Sequence, residues 1–230
     1  MASKVDLHVH SKFSDRPSEW ILRRIGSPEC YTEPQVIYER ARRRGMQFVT
    51  ITDHNCIRGA LEIAHLDGVF IGNEITTYFP EDRCKIHVLA WGITESQFEE
   101  IQRLRENIFD LRNYLWKEQI AHACAHPLYS INDQLTLDHF EQLLLLFNTF
   151  ETLNGGRNKR GNNLVLSVLQ TLDQPQLDEL SNRQGLAPSG SDPWIKGQLG
   201  RSVGSIPWDS SKPSTLECSI PSDSSKNGFW

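Results

Sequence analysis

The sequence lacks any long hydrophobic run. No stretch approaches the roughly 18 apolar residues that a membrane-spanning helix needs, and the mean hydropathy is −0.45. The first residues, Met1 to Asp6, contain neither the apolar segment of a secretory signal nor the glycine at which a chain is myristoylated. We therefore expect a cytoplasmic protein with no membrane partner.

Cysteine is scarce, and positive charge is not in excess. The five cysteines are far apart in sequence and never form a CxxC pair, which predicts reduced thiols rather than a disulfide framework or a zinc knuckle. The formal net charge of −5 argues against a protein that holds nucleic acid by bulk charge. Walker A and GxGxxG phosphate loops are also absent from the sequence.

What the sequence does contain is an alternation of strand-like and helix-like segments. Seven predicted strands cover residues 4–10, 48–52, 69–72, 86–91, 120–125, 149–153 and 186–189. Amphipathic stretches separate most of these strands. This pattern predicts an α/β protein with a mostly parallel sheet, and the strand count and the length of 230 residues favour a closed barrel over a doubly wound open sheet.

Capping signals mark the start of two predicted helices. Thr32 with Gln35 has the spacing of a capping box and precedes a helix that ends at Gly45. Thr94 with Gln97 opens a long helix, whose apolar residues recur at spacings of three and four as far as Leu115.

The amphipathic pattern stops beyond Asp192. Eight of the last 26 residues are serine, and three prolines lie among them. This composition is typical of irregular or disordered chain. We therefore divide the sequence into a barrel domain over residues 1–192 and an irregular Ser/Pro-rich C-terminal tail over residues 193–230.

Histidines and acidic residues collect at the carboxyl ends of the predicted strands, where α/β barrels place their active sites. They are His8, His10, Asp15, Asp53, His54, Glu74, His87, His126, Glu151 and Asp192. In His8-Val9-His10 both imidazoles point to one face, because side chains alternate along a strand, so the two can chelate one ion. A carboxylate such as Glu74 can bridge two ions, and paired ions suit phosphoryl transfer.

Each of these residues, taken alone, also fits a structural role. His87 lies within an apolar strand and suits the core, Asp53 and His54 can cap the following helix, and Asp192 suits a turn. Five of the eight histidines nevertheless fall at or near the predicted strand ends, which favours a metal centre. The other three are interpreted as structural or surface residues: His65, His122 and His139.

This order of motifs resembles the PHP (polymerase and histidinol phosphatase) superfamily. The motifs are Asp6-Leu7-His8-Val9-His10-Ser11 with Asp15, Ile51-Thr52-Asp53-His54-Asn55, Gly72-Asn73-Glu74, His87, Ala125-His126-Pro127 and Ser189-Gly190-Ser191-Asp192. The resemblance implies a distorted (β/α)7 barrel that acts as a stand-alone phosphoesterase. It also implies two or three divalent ions, which are zinc, manganese or iron.

The resemblance further implies a ligand set for each ion. The first ion would take His8, His10, Glu74 and Asp192, the second Glu74, His87 and His126, and the third Asp15 and His54. The sequence departs from the family pattern Gly-Ser-Asp-x-His, because Trp194 stands where the last histidine is expected. An indole has no lone pair to offer a metal. An impaired or non-catalytic metal-binding module is therefore one alternative function.

For catalysis we expect a metal-bound hydroxide to attack phosphorus, with catalytic roles for Asp53 and His54. Asp53 lies next to a ligand in sequence and is placed to orient it. Three arginines follow ligand-bearing strands and are predicted to bind the substrate phosphate, since a guanidinium matches phosphate with two hydrogen bonds. They are Arg16, Arg157 and Arg160.

The expected substrate is a small phosphate ester or a nucleotide. No stable nucleic-acid binding is expected from an acidic chain. An amidohydrolase-like enzyme that cleaves C–N bonds ranks last, because no lysine lies at the end of a central strand, where that family places one. The oligomeric state cannot be derived from the sequence.

Overall fold

The computed structural model describes residues 4–14, 24, 30–188 and 201–205, the last five by their backbone alone. The positions predicted at Asp15, Arg16, Asp192 and Trp194 lie outside the described residues. No described helix is long and apolar enough to cross a membrane.

The described strands form one five-stranded mixed sheet in the order β1-β2-β3-β4-β5. The strands are β1 (Gly72–Tyr78), β2 (Lys85–Trp91), β3 (Ala121–Cys124), β4 (Thr149–Asn154) and β5 (Arg201–Ser205). The β1–β2 and β2–β3 pairs are antiparallel, whereas the β3–β4 and β4–β5 pairs are parallel. Strand β5 lies in the segment that the sequence predicted to be irregular.

Seven helices accompany this sheet in the described part of the chain. They are α1 (Pro34–Arg43), α2 (Arg58–Ile63), α3 (Glu95–Leu104), α4 (Ile108–Lys117), α5 (Leu137–Leu146), α6 (Lys159–Thr171) and α7 (Gln174–Gln184). The protein is therefore α/β.

The prediction of a closed (β/α)7 barrel is wrong. The described sheet is open, with β1 and β5 at its two edges. Only the short segment between Tyr78 and Lys85 joins β1 to β2, and Phe79 and Cys84 close it as a hairpin through a 3.0 Å backbone hydrogen bond. A parallel crossover needs a dozen or more residues, so this connection forces an antiparallel pair. The sheet is also not the doubly wound, mostly parallel alternative.

Four of the seven predicted strands do not form as predicted. Residues 69–72 contribute only Gly72 to β1, and residues 186–188 form no strand, with Ser189 outside the described residues. Residues 4–10 and 48–52 are held side by side by a 2.7 Å hydrogen bond from the Thr52 amide to the Val9 carbonyl. Beyond them, only isolated parallel bridges join Val49 to Val69 and His54 to Glu74. These extended segments still carry the predicted His8 and His54 motifs to the edge of β1.

The helix boundaries follow the local capping chemistry. The capping box of Thr94 and Gln97 is confirmed. The long helix predicted to follow it is instead two helices, because the Asn107 side chain accepts a hydrogen bond from the Phe109 amide and starts α4. At α1 the predicted capping box is wrong, since the N-cap residue is Glu33 and its side chain makes no capping bond.

The two faces of β2 contact different parts of the core. Val88 and Ala90 are fully buried in the main cluster, which includes residues of α3 to α6. Leu89 and Trp91 face the other way, and the Trp91 indole donates a 2.9 Å hydrogen bond to the Leu7 carbonyl. His87 shares that second face by strand alternation. The face that meets residues 4–10 is therefore the one that carries His87.

Candidate metal centre

Glu74 lies at the centre of a cluster of five histidines. It is the third residue of β1, and its side chain is only 1% exposed. Its Oε2 atom lies 3.1 Å from His8 Nε2, from His10 Nε2 and from His54 Nδ1. One carboxylate oxygen thus meets three imidazoles that come from two different motifs.

The second oxygen of Glu74 faces the remaining two histidines. Glu74 Oε1 lies 2.8 Å from His87 Nδ1 on β2 and 3.1 Å from His126 Nε2, just beyond β3. Both histidines are buried. The five predicted histidine ligands and Glu74 are therefore gathered into one site.

Two groups in this cluster have the spacing of metal ligands. One is His8, His10 and Glu74, and the other is His54, Glu74 and His87; within each group the ligand atoms lie within 4.8 Å of one another. These buried groups can hold divalent ions, and they share Glu74. His54, which the resemblance implies for a third ion, joins His87 in the second group. His126 belongs to neither group, although its Nε2 atom contacts Glu74 Oε1.

The imidazoles of His8 and His10 both present their Nε2 atoms to Glu74. Their Nε2 atoms are 3.2 Å apart beside Glu74. The opposite nitrogens contact other side chains: His8 Nδ1 lies 2.9 Å from Glu151 Oε1, and His10 Nδ1 lies 3.2 Å from Ser14 Oγ. Metal-binding histidines are typically fixed in this way, by a hydrogen bond at the nitrogen that does not face the ion.

Buried polar atoms in the cluster fit a cation. Glu74 Oε2, His87 Nδ1 and His126 Nδ1 are shielded from solvent, yet the described residues provide them with no partner in hydrogen-bond geometry. His87 Nδ1 is 2.8 Å from Glu74 Oε1, so distance alone is not the obstacle. Such atoms are costly to bury unsatisfied. Nitrogen and carboxylate donors together form a ligand set typical of zinc, manganese or iron.

Glu151 on β4 connects three parts of the site. Its Oε1 atom contacts His8, and its Oε2 atom accepts hydrogen bonds from the His126 amide at 2.9 Å and from the Asn154 side chain at 3.0 Å. The His126 backbone has a φ of +27°, a strained value for a residue with a side chain. Glu151 therefore stabilises the backbone that presents His126. The sequence places Glu151 on a strand, but it received no predicted role.

The carboxylate of Asp53 is bound by Ser11. Both of its carboxylate oxygens accept 2.6 Å hydrogen bonds from Ser11, one from the amide and one from the hydroxyl. Its carbonyl accepts a 2.7 Å hydrogen bond from the Asn73 side chain. Asp53 thus ties the segment after His10 to the residue before Glu74, and its catalytic role stays a prediction.

Burial and the charges of the cluster shift the pKa values of Glu74, His8 and His87. Burial opposes ionisation of Glu74, but the surrounding histidines outweigh it and hold its pKa well below the usual range. Burial likewise opposes the charged form of His8, yet the Glu74 and Glu151 carboxylates prevail and raise its pKa well above 6.5. His87 behaves oppositely, because burial dominates and lowers its pKa to about 3.

Two further carboxylates are buried near the histidines. The histidines and the Asn154 amide overcome the burial of Glu151 and lower its pKa to about 2. For Asp53 the burial dominates over the Ser11 hydrogen bonds and raises the pKa. Glu151 is therefore a permanent negative charge beside His8.

The predicted phosphate-binding arginines differ in their surroundings. Arg157 follows β4 and is half-buried, with its guanidinium carbon 3.5 Å from the centre of the Tyr129 ring. Arg160 is exposed in the first turn of α6. Arg16 is not among the described residues. Of the three arginines, Arg157 is therefore the one that the structure places near the site, because Tyr129 also contacts His126.

No protein-family model matches the chain. An uncharacterised protein of Methanocaldococcus jannaschii is 40% identical to it over 79 residues, which are 32% of this chain and 44% of that protein. The chain thus matches less than half the length of this relative.

Two solved structures overlap with most of the chain at low identity. One is assigned as a metal-dependent phosphoesterase of Bifidobacterium adolescentis and is 14% identical in sequence. The overlap covers 81% of this chain and 85% of that chain, with a TM-score of 0.44. The other is an amidohydrolase of Chromobacterium violaceum with bound sulfate and no metal, and it is 15% identical in sequence. The overlap covers 80% of this chain and 84% of that chain, with a TM-score of 0.49. With TM-scores below 0.5, neither structure establishes the fold or the reaction of this chain.

Proposed function

We propose that this chain is a metal-dependent phosphoesterase that hydrolyses a small phosphate ester or a nucleotide. The observation that carries the proposal is the position of Glu74, which belongs to both ligand groups: its Oε2 atom contacts His8, His10 and His54, and its Oε1 atom contacts His87 and His126. A shared carboxylate is the arrangement by which proteins hold two ions side by side. We assign two divalent ions to the site, chosen from zinc, manganese and iron.

The protein's own residues hold and orient this centre. When bound, divalent ions supply Lewis-acid activation of water and neutralise charge on phosphoryl oxygens. His8 and His10 offer their Nε2 atoms and His54 its Nδ1 atom at Glu74 Oε2, whereas His87 offers its Nδ1 atom at Oε1. The side chains of His8, His54 and His87 are almost fully shielded from solvent, which strengthens electrostatic contacts, while that of His10 is 20% exposed.

A third ion is part of the proposal only through residues outside the described part of the chain. Asp15 would be needed for it together with His54, and Trp194 replaces the expected histidine. Because His54 approaches Glu74 at 3.1 Å, it serves the two-ion centre without a third ion. We infer that two ions suffice for turnover.

The proposed substrate carries a phosphate of modest size. Arg157 is the candidate for binding its non-bridging oxygens, since a guanidinium pairs with phosphate through two hydrogen bonds. The acidic chain has little to attract a long nucleic acid, and we propose no membrane partner. Activity in the cytoplasm fits the reduced cysteines that the sequence predicts.

Metal content and turnover test this function together. The full chain is purified, its metals are measured by elemental analysis, and hydrolysis of p-nitrophenyl phosphate is followed with added Mn²⁺. About two ions per chain and turnover are expected. His8→Ala and His87→Ala should each lose at least one ion and most of the activity. The control His65→Ala removes an exposed histidine and should change neither.

Three results would contradict the proposal. Folded protein without bound ions would overturn the metal centre. Bound ions without turnover of p-nitrophenyl phosphate, AMP or glycerol phosphate would indicate the non-catalytic module. Hydrolysis of an amide or a cyclic imide in place of phosphate esters would indicate the amidohydrolase-like reaction instead.

A further inference from the structure

Arg157 and Tyr129 form a stacked pair beside the metal centre. The guanidinium carbon of Arg157 lies 3.5 Å from the centre of the Tyr129 ring. The Tyr129 ring and the His126 imidazole form a T-shaped pair, with 5.6 Å between ring centres and an interplanar angle of 89°. A single aromatic ring therefore separates the cation from a histidine that contacts Glu74.

Both members of the pair sit on turns that begin at the site. The Tyr129 amide donates a 2.8 Å hydrogen bond to the His126 carbonyl, and the Arg157 amide donates a 3.2 Å hydrogen bond to the Asn154 carbonyl. Asn154 in turn contacts Glu151 through a 3.0 Å side-chain hydrogen bond. The backbones that carry the ring and the cation are thus fixed by the residues that fix the centre.

Within the described part of the chain, Arg157 has no ion-pair partner of the kind that a comparable arginine has. Arg83 stacks on Tyr78 at 3.9 Å, and it also pairs with Glu106 at 2.7 Å. Among the residues that the structure describes, no carboxylate forms an ion pair with Arg157. Arg157 is half-buried and its guanidinium is stacked, yet no described carboxylate neutralises its charge.

We propose that Tyr129 is a positioning residue, which holds the Arg157 guanidinium at the rim of the metal centre so that it binds the phosphate group of the substrate. The inference rests on the proposed function and adds to it the anion-binding pair. Stacking leaves the in-plane N–H groups of a guanidinium directed outward, because the ring covers only its face. A tetrahedral phosphate can then accept two of those hydrogen bonds.

The experiment measures anion binding separately from turnover. The full chain is loaded with Mn²⁺, and inorganic phosphate is titrated by calorimetry into wild type, Y129A, Y129L, Y129F and R157Q. Y129A, Y129L and R157Q should each weaken phosphate binding about tenfold, and the Y129A/R157Q double variant should be no weaker than R157Q alone. Y129F keeps the ring and should bind phosphate within about twofold of wild type.

Steady-state kinetics with p-nitrophenyl phosphate give the second readout. Y129A should raise KM about tenfold and change kcat less than about threefold, because a positioning residue for the anion acts on binding. The matched control is Y78A, which removes a ring stacked on an arginine at the far end of β1, about 13 Å along the strand from Glu74. It should leave phosphate affinity and KM unchanged.

The outcomes separate this inference from the proposed function. If wild type binds Mn²⁺ and phosphate but turns over no ester, the phosphoesterase proposal fails, and the phosphate affinities of the variants still decide the role of Tyr129. Wild type that binds no phosphate overturns the inference. It is also overturned if the losses of phosphate affinity in Y129A and R157Q add in the double variant. The same holds if Y129L binds phosphate as tightly as wild type, or if Y129F binds it as weakly as Y129A. Y129L keeps the volume of the side chain, so it decides the question if Y129A does not fold.

Discussion

Glu151 Oε1 lies 2.9 Å from His8 Nδ1, across 143 residues of sequence, while His8 Nε2 lies 3.1 Å from Glu74 Oε2 on the other side of the same ring. The imidazole of His8 is therefore held between two buried carboxylates. One carboxylate belongs to the candidate metal centre, and the other fixes the tautomer and the orientation of the ring. This contact leads to the first prediction.

Glu151→Gln should weaken Mn²⁺ binding by roughly 10- to 100-fold, as the loss of an orienting carboxylate typically does. The glutamine side chain is neutral and has only one oxygen, so it cannot both pair with the His8 ring and accept the hydrogen bond from the His126 backbone N–H. Metal affinity is measured by competition with a fluorescent chelator. Glu106→Gln is the matched control, since Glu106 forms an exposed ion pair with Arg83. Equal affinities in the two variants would show that Glu151 has no such role.

Glu74→Gln should remove both ligand groups at once. Wild type is expected to gain thermal stability with added Mn²⁺, because an ion that binds only the folded state stabilises it by mass action. In Glu74→Gln that Mn²⁺-dependent rise in Tm should disappear, and the bound metal should fall below about one ion per chain. Differential scanning calorimetry with and without Mn²⁺ checks this. A variant that retains the full Mn²⁺-dependent rise would contradict the shared-carboxylate arrangement.

Metal binding should release protons and strengthen as the pH rises. The pKa of His8 is raised in the metal-free chain, so this imidazole is protonated at neutral pH and must lose a proton before it can act as a ligand. Each proton released strengthens binding about tenfold per pH unit until the pH passes that pKa. His87, whose pKa is about 3, is already neutral and contributes no proton.

Calorimetry in buffers of different ionisation enthalpy counts these protons. In the metal-free chain the same raised pKa stabilises the fold fully below about pH 6.5, and the stabilisation is lost as the pH rises through the folded-state value. His65→Ala should release the same number of protons as wild type. Metal affinity that stays constant between about pH 6 and 8 would contradict the charge state assigned to His8.

Gly59→Ala should destabilise the fold near the site. A methyl group at Gly59 would lie 2.5 Å from Ser11 Oγ and closer still to the Asp53 carboxylate. The side chain would break the hydrogen bonds by which Asp53 holds Ser11, and overpacking of this kind costs roughly 1–3 kcal/mol. Urea unfolding measures the loss. Gly161→Ala on α6 is the control, because its methyl group meets only Asn158 Oδ1 at an ordinary 3.4 Å.

The sequence predicted five histidines and Glu74 as ligands, and the structure brings these six side chains together; the predicted Asp15 and Asp192 lie outside the described residues. Strand alternation places His8 and His10 on one face, and the structure has both Nε2 atoms beside Glu74. The helix that opens at Thr94 was equally readable, because a capping box depends on residues three positions apart. Both are local features, set by the geometry of a few neighbouring residues.

Only the tertiary structure decided how these segments meet. The short connection after Tyr78 closes a hairpin, so the sheet is mixed and open instead of a parallel barrel, and His54 enters the same ligand group as His87. The contact of Glu151 with His8 depends on pairings between strands that are distant in sequence. Hydrophobic periodicity reports which face a residue takes and not which strand lies beside it, so the sequence alone determined the candidate ligands and the fold determined their grouping.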